Sequence, residues 1–412
     1  MTSSDLSREA QTFHRAVRLI PGPTWTAEAA AATADLPSSE VEGMLRELVD
    51  ARLLTCPTPG RYAHADTSRS DIRRQRAQPT ADRDQALTRA LEYYLGAAAS
   101  ADRVLNPGKW HLAPVFDRTP SKEFASRALA LEWLEDELGN LRACVRVAHD
   151  TGRHALVWQF CEALRNLFML RKHFQIWEDT HTLGLASAEA IDNNAAQALV
   201  LGGLGALRLT RGDADRALEL HTTSLGLWER ARHRLGQAAA LEAAGVCELA
   251  RNRPGRAQAL FAHAYEIHEL LNRPRGKALL TRRLGEAARD LGEHEDALGH
   301  LTEALGFFTE AEEPYMRART LAGVATTHLA AGDPGRAGEA AVQAHQISAR
   351  IGAVAEEAGA LVLLADVAHL QGRPRDERGL LSRALELYTR LGSVEAVKVR
   401  ARLAGGGPDA SG

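Results

Sequence analysis

At 412 residues the chain is too long for one ordinary core, so several domains, or a domain joined to a repeat array, are expected. Apolar residues reach 45% and aromatics only 5%; this Ala- and Leu-rich content suits close-packed helices, and a formal charge of −3 carries no general preference for nucleic acid or membrane. Four scattered cysteines (Cys56, Cys144, Cys161, Cys247) without a C-x-x-C pair argue against a disulfide framework or a zinc site, and with a polar N-terminus and no bilayer-length apolar run they make a cytoplasmic chain the expectation.

Residues 1–76 read as three helices and a small wing. A helix from Leu6 to Leu19 is stopped by Pro21-Gly22-Pro23, a second spans about Thr26 to Ala34, and a third runs from Ser38 to Leu54 with Ser38 or Ser39 as N-cap. A strand pair follows, turning at Pro57-Thr58-Pro59-Gly60 and returning through Arg61-Tyr62. That order is the winged-helix pattern. Residues 77–154 form a helical linker, with one helix from Asp84 to Asp102 and then a loop through Pro107, Pro114 and Pro120.

Residues 155–403 are governed by a repeat. Small residues stand at Gly205, Gly245, Gly285, Ala325 and Ala365, and turn-forming residues at Gly212, Asn252, Gly292, Gly332 and Gly372. Ala217, Ala257, Ala297, Ala337 and Glu377 make a third column, and Ser224, Ala264, Ala304, Ala344 and Ala384 a fourth. All four keep a spacing of 40 without an insertion. Small side chains let two helices approach closely, and Gly or Asn takes the left-handed conformation that ends the first of them. The second helix then starts after Asp213, Pro254, Glu293, Pro334 or Pro374. Helix pairs should therefore begin near residues 195, 235, 275, 315 and 355. Five units cover Ala195 to Val394, with degenerate units before them on the same comb at Cys144-Val145 and Gly184-Leu185. Ala396 to Leu403 would be a capping helix, and residues 404–412 a disordered tail.

The small-residue columns resemble the tetratricopeptide signature, with a longer period than its usual 34 residues. The fold class that follows is all-α: a tetratricopeptide-type right-handed superhelix of helix pairs behind an N-terminal winged-helix module. A wider resemblance joins Pro21-Gly22-Pro23, Leu45 to Leu54, Gly60-Arg61-Tyr62, and then Trp133-Leu134, Glu137 and Asn140-Leu141. These look like the winged helix and repeat opening of actinomycete STAND-type regulators, the NB-ARC ATPases related to antibiotic regulatory proteins. Family members carry a nucleotide-binding domain before this point, yet no G-x-x-x-x-G-K-[ST] occurs in the chain. Their nucleotide-sensing Met-His-Asp motif falls on His64-Ala65-Asp66, which puts Ala65 at the sensing position. The resemblance implies the receiver half of such a regulator, standing alone and using no cofactor.

Little in the chain points to catalysis. The 16 histidines include no H-E-x-x-H pair, and His263 and His268 fall on different helix faces. No G-x-S-x-G elbow occurs. Nor do residues 1–54 suit DNA: they carry Asp5, Glu9, Glu28, Asp35, Glu40, Glu42, Glu47 and Asp50 against five arginines, so Arg69, Arg73, Arg74 and Arg76 offer the better basic run. The first helix of each tetratricopeptide pair lines the concave side. Its inward positions hold Glu242, Arg282, Glu286, Arg289, Arg319, Thr326, Asp366 and His369, after apolar Leu209, Val246 and Leu249. An apolar stretch leading to Arg282, Arg289 and Arg319 suits a protein or peptide partner with acidic groups. As exposed side chains, these arginines should contribute little to stability. The reading is a non-enzymatic regulatory scaffold. Its alternatives are a DNA-binding regulator acting through the winged helix, and an accessory protein holding the peptide substrate of a biosynthetic enzyme.

Overall fold

The computed structural model describes residues 6–65 and 81–405. The chain separates into two compact units, Met1–His233 and Arg234–Gly412. The first opens with α1 (Arg8–Val17), β1 (Trp25–Thr26), α2 (Ala27–Ala34), α3 (Ser38–Asp50), β2 (Leu54–Thr58) and β3 (Arg61–His64). Ser7 caps α1 by accepting from the Ala10 N–H, and Thr26 caps α2 by accepting from that of Ala29. The expected cap at Ser38 or Ser39 is not found. Pro37 holds the N-cap position without a side-chain bond, its fixed φ already leading into the helix. Nor does α3 reach Leu54: Arg52 turns left-handed, and Leu54 opens β2. β1 was not anticipated, because two residues show no alternation. It adds to β3 by the antiparallel pairs Trp25–Tyr62 and Thr26–Arg61, giving a sheet of order β1-β3-β2.

The unit continues with α4 (Ala81–Leu105), a 3₁₀ turn (Pro114–Asp117), α5 (Arg127–Asp136), α6 (Leu138–Asp150), α7 (His154–Ala163), α8 (Arg165–Arg171), α9 (Phe174–Ala190), α10 (Asn194–Thr210) and α11 (Ala214–Arg230). One hydrophobic core runs through it, from Phe13, Trp25 and Leu45 through Tyr94, Phe160 and Trp177 to Leu207. The charged residues that recur in the resemblance meet at a seam inside this unit. Arg61 pairs with Glu137 and donates from Nε to Thr24 Oγ1 at 3.1 Å. Asn140 donates to the Thr24 carbonyl at 2.6 Å and to the Tyr94 hydroxyl at 3.2 Å. Gly22 lies so close that an added Cβ would come within 2.9 Å of the Asn140 Cα. Asp66 and the Arg69 to Arg76 run lie outside the described residues.

The second unit alternates first and second helices of each pair: α12 (Arg234–Ala250), α13 (Pro254–Leu270), α14 (Pro274–Leu291), α15 (His294–Glu310), α16 (Pro314–Ala330), α17 (Pro334–Arg350), α18 (Val354–Leu370) and α19 (Pro374–Arg390), closed by α20 (Glu395–Gly405). Pair starts fall within a residue of those expected, and among the described residues no strand lies between 195 and 394. The chain is thus an all-α protein with a tetratricopeptide-like superhelical repeat. Among the described residues no helix is long and apolar enough to cross a membrane.

Every twentieth residue from 152 to 392 is left-handed, alternating the expected turns with Asp192, Arg232, Asn272, Glu312, Gly352 and Gly392. The residue after the turn closes it with a backbone bond five residues back, as in Asp213 to Arg208 at 2.9 Å and Asp333 to His328 at 2.8 Å. Arg232 and Glu312 hold this conformation despite their Cβ, each at a cost of about 1 kcal/mol.

The small column works by admitting a large neighbour. A Cβ added to Gly205 would come within 2.6 Å of His221 Nε2, and one on Gly285 within 2.8 Å of Leu301 Cγ. The same place opposite Gly245 is filled by Phe261, wholly buried. His221 is 3% exposed, and burial first, then the charge of Arg165, pushes its imidazole down to about 4. The neutral form is therefore the folded one. As pH falls below the free-histidine value of about 6.5, the unfolded chain gains a proton that the folded chain refuses, and stability drops. All six tryptophans lie at or before residue 228, so their fluorescence reports on the first unit alone. His221→Phe, copying Phe261, should flatten the loss of stability between pH 6.5 and 4 by about 1.4 kcal/mol per pH unit, read by denaturant titration of tryptophan fluorescence. An unchanged slope would show that His221 does not carry this dependence.

Candidate partner-binding face

The eight residues expected to face a groove fall into separate groups. Glu242 on α12 and Arg282 and Glu286 on α14 belong to one charge network, joined by Arg283, which the sequence reading passed over. Arg283 Nε donates to Glu242 at 3.3 Å and its Nη1 to Glu286 at 2.9 Å, while Arg282 pairs with the other oxygen of Glu286. Arg283 was missed because it sits one position past the column that was counted. Its partner Glu242 is 41 residues back, one repeat plus one, and that offset is the available signal.

Arg282 departs from expectation. It is only 3% exposed, because α14 turns this position toward its neighbours rather than to water. Burial first, opposed by Glu286 and helped by the charges of Arg283 and Arg319, brings its guanidinium down to about 10. Its Nε has no hydrogen-bond partner. Glu286 moves the other way: burial would raise its carboxyl, but Arg282 and Arg283 hold it below the usual range. Both side chains are therefore charged at neutral pH. Arg319 lies on α16 with its guanidinium 5.9 Å from the Tyr315 ring centre.

Arg289, two turns further along α14, pairs with Asp290 at 2.7 Å. Thr326 spends its hydroxyl on the Ala322 carbonyl at 2.8 Å. Asp366 and His369 belong to a second group at the end of the array. Arg402 of α20 bonds Asp366 at 2.7 Å and Glu377 at 3.3 Å, and Glu377 also meets His369 Nδ1 at 2.9 Å. The N-terminal helices show a different use of charge: Glu47 of α3 accepts from the Ser7 backbone N–H at 2.7 Å and hydroxyl at 3.0 Å, fastening α1 to α3.

Since Arg282 is buried and paired, its loss should affect folding, contrary to what exposure would imply. Removing one partner of a buried pair costs about 3–5 kcal/mol, and Arg283 remaining on Glu286 places Arg282→Ala at or below the lower end. Arg289→Ala, a half-buried pair between neighbours, should cost under about 1 kcal/mol. Thermal unfolding followed by circular dichroism separates the two; equal and small shifts would show that Arg282 is not held as described.

Residues 194–269 match the tetratricopeptide repeat family. The chain is 35% identical over 153 residues to Regulatory protein AfsR of Streptomyces coelicolor, a stretch that is 35% of this chain and 15% of that protein. It is 36% identical over 144 residues to Regulatory protein AfsR of Streptomyces griseus, covering 34% of this chain and 14% of that one. The chain therefore spans only a small part of the length of these curated relatives. Among solved structures, a Rap protein complexed with competence and sporulation factor superposes with a TM-score of 0.50, covering 92% of this chain and 97% of that chain at 13% identity. That last likeness is one of fold. The chain carries tetratricopeptide repeats and is similar, over about a third of its length, to AfsR-type regulatory proteins.

Proposed function

We propose that the chain is a non-catalytic regulatory scaffold that holds a protein or peptide partner on the first-helix face of α12, α14 and α16. One observation carries this reading: the Glu242–Arg283–Glu286–Arg282 network sets two guanidiniums against two carboxylates, and a third, Arg319, lies close enough to act on it by charge. The third guanidinium, Arg319, is surplus to that pairing and suits a carboxylate on the partner. The similarity to AfsR regulatory proteins supports a regulatory setting, and the fold shared with a Rap protein complexed with competence and sporulation factor supports an array that holds a partner.

We read residues 1–76 as a winged-helix module that packs rather than reads DNA. In support, Arg61 of the wing turns inward to Thr24 and Glu137, and Glu47 of α3 fastens α1. Neither residue is left for a phosphate backbone.

Affinity capture with the full chain, followed by titration of the captured partner, tests the proposal. Arg319→Ala or Arg289→Ala should weaken the complex by about 1.5–3 kcal/mol, the range for a charged hydrogen bond, or roughly tenfold or more in Kd. Glu303→Ala, exposed on the second helix α15, should leave binding unchanged. Binding insensitive to the Arg289→Ala, Arg319→Ala double substitution would move the partner to another surface.

A further inference from the structure

The second unit also holds a cleft of about 590 Å³, a volume usual for ligand sites, on helices that take no part in the charge network above. Three helical stripes build it. Gly335, Gly338 and Val342 come from α17, Leu364 and Val367 from α18 with Gln371 capping its end, and Arg375, Gly379 and Arg383 from α19. Each stripe keeps the three- and four-residue spacing of one helix face.

Comparison along the repeat shows how the cleft arises. Where α17 has Gly338, the equivalent positions of α11, α13, α15 and α19 carry the larger Leu218, Gln258, Leu298 and Arg378. A Cβ at Gly338 would stand in ordinary contact with Val367, 3.5 Å away, so a larger side chain has room and is simply missing. The charge is equally particular to this place. Arg375 and Arg383 occupy columns that hold Glu295 and Glu303 on α15, and Gly335 and Gln343 on α17. Both arginines are exposed and make no ion pair among the described residues. Arg373, at the same rim, is already paired with Asp376 at 3.0 Å.

We propose that this cleft is a second binding site, for a peptide segment carrying two carboxylates with apolar residues between them. Val342, Leu364, Val367 and Leu380 supply the apolar lining. Arg375 and Arg383, eight residues apart on α19, stand about 12 Å apart along its axis. An extended peptide covers roughly that length between one residue and the fourth after it. Each guanidinium can take a carboxylate by two parallel bonds. The site is independent of the face proposed above, because it shares no residue with it.

The test uses the full chain and a fluorescent peptide, Glu-Leu-Val-Leu-Glu, with Gln-Leu-Val-Leu-Gln as its uncharged counterpart. Fluorescence anisotropy should show saturable binding of the first, at least tenfold tighter than the second. Arg375→Glu with Arg383→Glu should weaken it tenfold or more, and Gly338→Leu, which supplies the residue found on α11 and α15, should do the same by filling the cleft. Unchanged circular dichroism and melting temperature must accompany each loss; if Gly338→Leu fails to fold, the exposed arginine pair decides. Equal affinity for the two peptides, affinity untouched by the arginine variant, or no saturable binding would overturn the site. Displacement by decanoate at comparable affinity would assign the cleft to a free amphiphilic carboxylate and overturn the peptide.

Discussion

One backbone conformation recurs at every twentieth residue, and helix length follows from it. Each left-handed residue ends one helix and lets the next begin two residues later, so most helices of the array are 17 residues long. Equal helices return their neighbours to the same phase. Only then can Gly205 meet His221, and Gly285 meet Leu301, at the same place in successive pairs. One residue inserted into this 20-residue period would rotate the following face by about 100° and separate these partners. The turns therefore come before the packing in the chain of causes, and the packing before any charge on the surface.

Half of that spacing could be read in advance. Gly212, Asn252, Gly292, Gly332 and Gly372 announce themselves, because Gly and Asn enter the left-handed region at little cost. Among the alternate turns Arg232 and Glu312 give no such sign, whereas Asn272, Gly352 and Gly392 carry the same sign but fall between the columns of a 40-residue comb. The candidate site was legible in the same uneven way. Periodicity placed Glu242, Arg282 and Glu286 on related helix positions, but it counts columns and not neighbours. It could not show that Arg283 would span two helices, nor that Arg282 would be buried beneath its own ion pair. The cleft beside Gly338 was also beyond it, since a missing side chain is visible only against the helix that faces it.

The N-terminal residues show the opposite case, where a motif was recognisable but its physical reason was not. Gly22, Arg61, Glu137 and Asn140 are far apart in sequence, and nothing in their spacing links them. In the fold they share one seam. Thr24 accepts from both Arg61 and Asn140, and Gly22 leaves the space that Asn140 fills. Arg61 is consequently occupied with fastening β3 to the start of α6. A basic side chain on a small sheet would suggest phosphate contact in isolation; here its partners are inside the unit.

Charge serves packing at the Arg61–Glu137 seam of the first unit, and we propose that in the second it also serves binding, where Arg319 stands beside a buried, internally paired Arg282. Site-specific photocrosslinking in living cells tests that distinction most directly. A photoreactive residue placed at position 319 should trap a discrete partner, while the same group at position 303 or position 47 should not. Adducts from 47 alone, with none from 319, would contradict the account and make the N-terminal module the binding surface.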